Sequence, residues 1–119
     1  MLKQVLLVGL GGAAGSMLRF IFSEITSRFY VSAFPLPTFI INILGCFLIG
    51  ILINSSSLSP TYKLILIAGF CGGFTTFSAF AKENLVLISN GQLLLALTYT
   101  TMSCVLGVGA VWLGTLITK

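Results

Sequence analysis

The sequence predicts an all-α integral membrane protein that forms a single domain over residues 1–119. The first observation is composition: 57% of the residues are hydrophobic, 7% are charged, and the mean hydropathy is +1.14. Soluble domains carry about a quarter charged residues, so this chain has too few charges to cover a surface that faces water. The second observation is the length of its charge-free runs, since residues 29–62 and 84–118 contain no Lys, Arg, Asp or Glu.

These lengths predict four transmembrane helices. A span needs roughly 20 mostly apolar residues, which limits a chain of this size to about four spans with short loops. The predicted spans are residues 4–27, 37–54, 63–88 and 92–117. Between them lie segments rich in the residues that interrupt helices, at residues 34–37, 54–60 and 89–91.

The first span contains two patterns that imitate other signals. Lys3 followed by an apolar run resembles a secretory signal, but the apolar segment continues through Phe22 as a full-length span. Residues 9–14 resemble a dinucleotide-binding glycine loop, but no strand–loop–helix unit follows them. The glycines of the first and third spans instead have the spacing typical of close helix packing, Gly11 with Gly15 and Gly69 with Gly73.

The second span has one strongly polar residue, Asn42. A side-chain amide at membrane depth needs hydrogen-bond partners, which either another helix or a permeating ion could supply.

The third span places its weakest helix formers at its centre, in the stretch GFCGGFTTFSAFAKE of residues 69–83. Glycine has poor helix propensity, so we expect the helix to break at Gly72 and Gly73. A break at membrane depth frees carbonyl groups that protein, water or an ion must satisfy. Such carbonyls hold cations in other discontinuous membrane helices, so this stretch could form a small cation site.

Aromatic and hydroxyl side chains accompany the predicted break. Phe77 and Phe80 share one helical face, and in the fourth span Tyr99 and Ser103 also share one. Each residue singly is more often a packing residue than a ligand, but together with Asn42 they favour an ion pathway. Phenyl ring edges carry partial positive charge, so the chemistry indicates a path for a small anion.

Two other classes of site are not supported. The net charge of +4 comes from basic residues scattered singly, which is not the pattern of a nucleic-acid interface. Cys46, Cys71 and Cys104 lie one to a span, with no CxxC spacing and no His in the chain, so a transition-metal site is not expected. We expect the three thiols to be small buried packing groups.

The charges give almost no bias in membrane orientation, which an excess of cytoplasmic Lys and Arg normally sets. With four spans, one side carries Lys3, Lys63 and Lys119, and the other carries Arg28 and Lys82, with Arg19 inside the first span. Either a small bias or other factors set one topology, or the chain inserts both ways and pairs antiparallel with itself. The second interpretation is favoured, because four short spans alone offer little room to enclose a polar pathway.

Four pieces of sequence together match one family. They are Gly12-x-x-Gly15-x-x-x-Arg19, Pro37-Thr38 with Asn42-x-x-Gly45, the long third-span stretch of residues 69–83, and Tyr99 with Ser103. On these pieces the chain resembles the Fluc (CrcB-type) fluoride channels over essentially its whole length. The third piece is long and specific, whereas the others alone would be weak. One position differs, since Ala79 stands where members of the family often have threonine.

The resemblance implies a fluoride-selective channel, not an enzyme, that exports F⁻ across the cytoplasmic (inner) membrane of a prokaryote and relieves fluoride toxicity. The implied assembly is a dual-topology, antiparallel homodimer of four-helix subunits, embedded in lipid, with two fluoride pores. A structural sodium ion at the dimer centre would be held by the backbone carbonyls of Gly72 and Thr75.

The resemblance also implies which side chains meet fluoride. The anion would pass Phe77, Phe80 and Asn42, and Arg19 and Glu83 would lie nearer the pore mouths. The neighbouring polar groups would be Thr38, Ser78, Tyr99 and Ser103.

Two alternatives remain from the residues themselves. A small multidrug exporter would also have four spans and an antiparallel arrangement, but it needs a carboxylate deep in the first span, and Glu24 lies near the end of that span. A structural membrane subunit without transport would leave the pattern of the third span unexplained.

Overall fold

Four long helices form the computed structural model, which describes residues 1–118. They are α1 (Leu2–Phe29), α2 (Leu36–Ile53), α3 (Pro60–Ser89), which is interrupted in its middle, and α4 (Leu93–Ile117). Each is long and apolar enough to cross a membrane, and the longest dimension of the molecule is 47 Å. A bilayer is about 40–45 Å thick with its headgroups, so the fold can cross it once per helix. The predicted all-α fold with four membrane helices is confirmed; Lys119 of the charge balance lies outside the described residues.

The helix ends follow from local sequence. Pro35 and Pro37 lie at the start of α2, where the missing N–H of proline costs nothing. Pro60 opens α3, and the hydroxyl of Ser59 before it accepts a hydrogen bond from the Tyr62 N–H at 3.3 Å. Gly91, with a φ of 76°, makes the left-handed turn between α3 and α4.

Helix α1 packs against the first half of α3 through the glycines that the sequence singled out. A Cβ atom on Gly69 would lie 2.8 Å from the Val8 carbonyl oxygen, and one on Gly15 would lie 2.8 Å from the Phe74 nitrogen. Any larger residue would therefore push the two helices apart. The predicted role of these glycines in close helix packing is confirmed.

Helix α2 packs along α4, and the second half of α3 also packs against α4. Gly50 and Gly114 provide the closest approach of α2 to α4, because a Cβ on Gly50 would lie 2.9 Å from the Gly114 Cα. The buried cluster lies where α3 and α4 meet and consists of Leu87, Ala96 and Tyr99, with Phe34, Phe39, Phe80 and Leu95 packed around it.

Many large apolar side chains face outward, on all four helices. In water this surface would be unstable, but lipid tails are as apolar as leucine and impose no cost on it. The inside of the fold is correspondingly rich in glycine contacts and hydrogen bonds, which hold helices together in a bilayer.

Candidate functional site

The interruption of α3 organises the site. Residues Leu64–Cys71 are wound as a π-helix, a rare form that occurs frequently at functional sites, and Gly72–Phe74 continue as α-helix. Thr75 (φ −80°, ψ 156°) and Thr76 (φ −148°, ψ 118°) are extended. A second helical segment, Phe77–Ser89, then begins.

The break lies at the two threonines, so the expectation that it lies at Gly72 and Gly73 was wrong. Gly72 keeps helical geometry, with φ −62° and ψ −37°. Gly73 is needed for packing instead, since a Cβ there would lie 2.9 Å from the Gly12 Cα of α1. β-Branched threonine favours extended backbone over helix, which explains why the chain leaves the helix at Thr75.

The two threonine hydroxyls close the helix ends on either side of the break. Thr75 Oγ1 donates to the Cys71 carbonyl oxygen at 2.7 Å, at the end of the first segment. Thr76 Oγ1 accepts from the Ala79 N–H at 3.1 Å and so caps the second segment. Ser78 is exposed beside it, with its Oγ 3.2 Å from Thr76 Oγ1.

Asn42 of α2 satisfies the backbone of the break. Its Nδ2 donates to the Thr76 carbonyl oxygen at 3.1 Å, and its Oδ1 accepts from the Thr76 N–H at 2.8 Å. One side chain therefore pairs with both backbone polar groups of the extended residue Thr76. Nδ2 carries a second hydrogen, which these two bonds leave free.

Arg19 lies on the α1 side of the break, where it is partly buried. Its Nε donates to the Gly73 carbonyl oxygen at 3.0 Å. Among the hydrogen bonds described for residues 1–118, none reaches the carbonyl oxygens of Gly72 or Thr75. These two oxygens are therefore among the groups at the break that could accept a cation.

An open cleft of about 280 Å³ lies beside the break, between α2, α3 and α4. It is lined by Asn42, Cys46, Ile49, Thr75, Thr76, Phe77, Phe80, Ser103 and Cys104. Four of the predicted pathway residues, from three different helices, thus line one cavity. They are Asn42, Phe77, Phe80 and Ser103.

The cleft combines aromatic rings with free donors. The rings of Phe77 and Phe80 have centroids 5.6 Å apart, and Phe77 is 78% exposed. The Oγ atom of Ser103 is buried and has no hydrogen-bond partner within the described part of the chain. No Asp, Glu, Lys or Arg among residues 1–118 lines the cleft. A small anion could therefore meet ring edges, a hydroxyl and an amide hydrogen without meeting a fixed charge.

Three further predicted residues, Thr38, Glu83 and Tyr99, form a second polar cluster behind Phe80. Glu83 accepts hydrogen bonds from the Thr38 hydroxyl at 2.6 Å and the Tyr99 hydroxyl at 2.9 Å. Thr38 and Tyr99 are both buried, and the Tyr99 ring lies 5.0 Å from the Phe80 ring, centroid to centroid. This cluster touches the cleft through one shared aromatic side chain.

Several residues have roles in the site that the sequence did not predict. Thr76 joins the site through its backbone, which no sequence pattern reports. Cys46 and Cys104 line the cleft, and the expectation that all three thiols are buried was wrong: Cys71 is buried, Cys46 is partly exposed and Cys104 is exposed. Two signals in the sequence could have placed them in the site. Cys46 lies four residues after Asn42, on the same helical face, and Cys104 directly follows Ser103.

One protein-family model and several known proteins match nearly the whole chain. Residues 6–115 match the family model described as CrcB-like protein, Camphor Resistance (CrcB). A protein of Azobacteroides pseudotrichonymphae genomovar. CFP2 named fluoride-specific ion channel FluC is 45% identical, over 100% of this chain and 98% of its own. Proteins of the same name in Flavobacterium psychrophilum and Methylobacillus flagellatus are 41% and 47% identical, over 99% and 93% of this chain and 98% and 91% of their own.

These relatives are named as channels, in agreement with the prediction that the chain is not an enzyme. The resemblance stated from the sequence is confirmed, and the multidrug-exporter alternative loses its support. The chain belongs to the CrcB family.

Proposed function

We propose that the chain is a fluoride-selective ion channel. The observation that carries the proposal is the cleft, in which the Phe77 and Phe80 rings, the Asn42 amide and the unpaired Ser103 hydroxyl meet. The relatives named as fluoride-specific ion channels support the same function.

The chemistry of the cleft suits a small, hard anion. Fluoride loses strong hydration when it leaves water, so donors must replace it, and a buried hydroxyl without a partner gains most from such an anion. The ring edges add weak attraction over a wider surface. With no fixed positive charge in the cleft, the anion is not held so tightly that it cannot leave, which a conducting path requires.

We propose that a second copy of the chain completes the path. The cleft is open on one side and Phe77 is 78% exposed, so one chain alone does not enclose an anion. The balanced charges support an antiparallel arrangement with dual topology. Accessibility labelling that finds every C-terminus on one side of the membrane would contradict this arrangement.

A structural sodium ion would bind at the break, on the carbonyl oxygens of Gly72 and Thr75. The residues fit such an ion, because these oxygens lack hydrogen-bond donors in the described chain. Two oxygens alone would leave the cation under-coordinated, so the site also calls for a second copy. When bound, the ion would balance the partial negative charge of the freed carbonyls.

Export is the direction expected in the cytoplasmic membrane of a prokaryote. A channel moves an ion down its electrochemical gradient. A membrane potential that is negative inside drives a monovalent anion outward with about 2.3 kcal/mol per 100 mV. Leakage of fluoride out of the cell would relieve its toxicity without a further energy source.

Recordings of the purified chain in a planar bilayer test the proposal. With fluoride on one side and chloride on the other, the reversal potential should move far toward the fluoride equilibrium potential. A reversal potential that shows equal permeability to the two anions, or the absence of any current above the bare bilayer, would contradict fluoride selectivity.

A further inference from the structure

Two free thiols lie on the wall of the cleft that the proposed anion path uses. Cys46 of α2 is partly exposed, Cys104 of α4 is exposed, and both line the cavity together with Asn42 and Ser103. Neither sulfur takes part in a hydrogen bond among those described for residues 1–118. The third thiol, Cys71, is fully buried and does not line the cleft.

The helix geometry places the two thiols on the same wall. Cys46 lies four residues after Asn42, on the same face of α2. Its Sγ atom packs against α4, where a Cβ atom added to Gly107 would lie 3.7 Å away. Gly107 lies three residues after Cys104 and shares its face of α4. Cys46 and Cys104 therefore lie where α2 and α4 border the cleft, and both residues line it.

We propose that Cys46 and Cys104 form a thiol-modification site that opens onto the anion path and takes hydrophilic, thiophilic electrophiles. This inference rests on the proposed function, since it places the thiols on the route of fluoride. It predicts that the exposed Cys104 faces the cleft and not lipid. The described residues hold no group of three or more metal-ligating side chains, so the site takes an electrophile at a single thiol and is not a site for a resident metal.

The modification follows ordinary thiol chemistry. The thiolate of either cysteine attacks the sulfenyl sulfur of a methanethiosulfonate, a new disulfide bond forms, and methanesulfinate leaves with the bonding electron pair. The proton of the thiol passes to the buffer, and no further oxidant is needed. The added group then occupies the space between the Asn42 amide and the Ser103 hydroxyl, where it obstructs an anion.

The test uses the full chain in liposomes and two reagents, a methanethiosulfonate with a trimethylammonium group and one with a benzyl group. Mass spectrometry identifies the modified cysteines, and fluoride efflux is measured before and after reaction in each variant. The charged reagent should label Cys46 or Cys104 and lower efflux severalfold. The double variant Cys46→Ala with Cys104→Ala should lose this sensitivity, whereas Cys71→Ala should keep it.

Two results would overturn the inference. One is labelling of Cys104 by the benzyl reagent alone, which places that thiol against lipid. The other is complete labelling by the charged reagent with unchanged efflux. Failure of the proposed function is distinct, because efflux would then be missing before any reagent is added, while the mass spectra still report which thiols face water.

Discussion

The side chain of Asn42 pairs with both backbone polar groups of Thr76, at 3.1 Å through its Nδ2 and at 2.8 Å through its Oδ1. The amide thus replaces the helical hydrogen bonds that the break in α3 removes. Because Asn42 belongs to α2, the position of the break depends on the packing of a different helix. The same side chain lines the cleft, so it links the shape of the break to the proposed anion path.

Replacement of Asn42 by leucine should therefore impair both stability and conduction. Two partly buried backbone groups of Thr76 would lose their partners, and the cost for a fully buried group is about 1–3 kcal/mol. We expect the Asn42→Leu variant to unfold at lower temperature in detergent and to lose most fluoride efflux. Asn42→Gln is the matched control: it keeps an amide donor and an amide acceptor, adds one methylene, and should be more stable than the leucine variant. If Asn42→Leu unfolds at the same temperature as the wild type, the hydrogen bonds between Asn42 and the Thr76 backbone do not stabilise the fold.

The phenylalanines of the cleft should matter through their ring edges. Phe77→Ile and Phe80→Ile retain most of the side-chain volume, and such swaps usually cost under about 1.5 kcal/mol. Since Phe77 is 78% exposed, its replacement should leave the folded chain nearly unaffected. Both variants should remain monodisperse yet lose most fluoride efflux, because isoleucine has no positive ring edge.

The control for this pair is Phe74→Ile, which changes a ring that is buried and stacked on Phe70 with centroids 5.9 Å apart. It should keep more efflux than the other two variants. If the Phe77 and Phe80 variants conduct like wild type, the rings serve only packing.

Ser103 separates a conducting role from a structural role. Its buried hydroxyl has no partner within the described chain, so its removal forfeits no hydrogen bond that the fold makes. We expect Ser103→Ala to be as stable as the wild type, or slightly more stable, while fluoride efflux falls. Thr98→Ala, which changes an exposed hydroxyl on the same helix, should leave efflux intact. Equal efflux in both variants would remove Ser103 from the path.

The proposed sodium site predicts different outcomes for neighbouring residues of α3. A Cβ on Gly72 would lie 3.8 Å from the Ile67 carbonyl oxygen, an ordinary contact, so Gly72→Val should fold. We expect it to lose conduction in sodium, and its unfolding temperature should no longer change when sodium is replaced by a large organic cation. Thr75→Ala keeps its backbone carbonyl and should retain sodium dependence.

Gly73→Ala serves as the contrast, because its Cβ would lie 2.9 Å from the Gly12 Cα. It should destabilise the packing of α1 on α3 in any cation. Fluoride efflux in sodium and in the organic cation, measured beside unfolding temperature, separates these cases. Wild-type efflux in the organic cation, together with full activity of Gly72→Val, would rule out the sodium site.

The fold could be predicted because hydropathy and helix breakers are local properties. The four helices, the glycine contacts of α1 with α3 and the interruption of α3 all follow from composition and spacing. The position of the break could not be predicted in this way, because the low helix propensity of glycine competes with helix packing. At Gly73 the close contact with Gly12 keeps the chain helical.

Several residues of the site could be predicted from the sequence, but their hydrogen-bond partners could not. Sequence spacing named Asn42, Phe77, Phe80 and Ser103, which line one cleft. The sequence could not predict that Asn42 pairs with the Thr76 backbone, because a sequence does not show which backbone groups a helix break leaves without a partner. For the same reason the exposed position of Cys104 became visible only when α2 was packed against α4.

Fluoride release from liposomes that contain the purified chain, loaded with potassium fluoride and a low concentration of sodium, tests the central claim most directly. A potassium ionophore sets the membrane potential, and a fluoride electrode outside the vesicles records the release. We expect rapid fluoride release when the ionophore is added, and chloride release no faster than from protein-free vesicles. Fluoride release at the rate of protein-free vesicles, from a monodisperse preparation, would contradict the account.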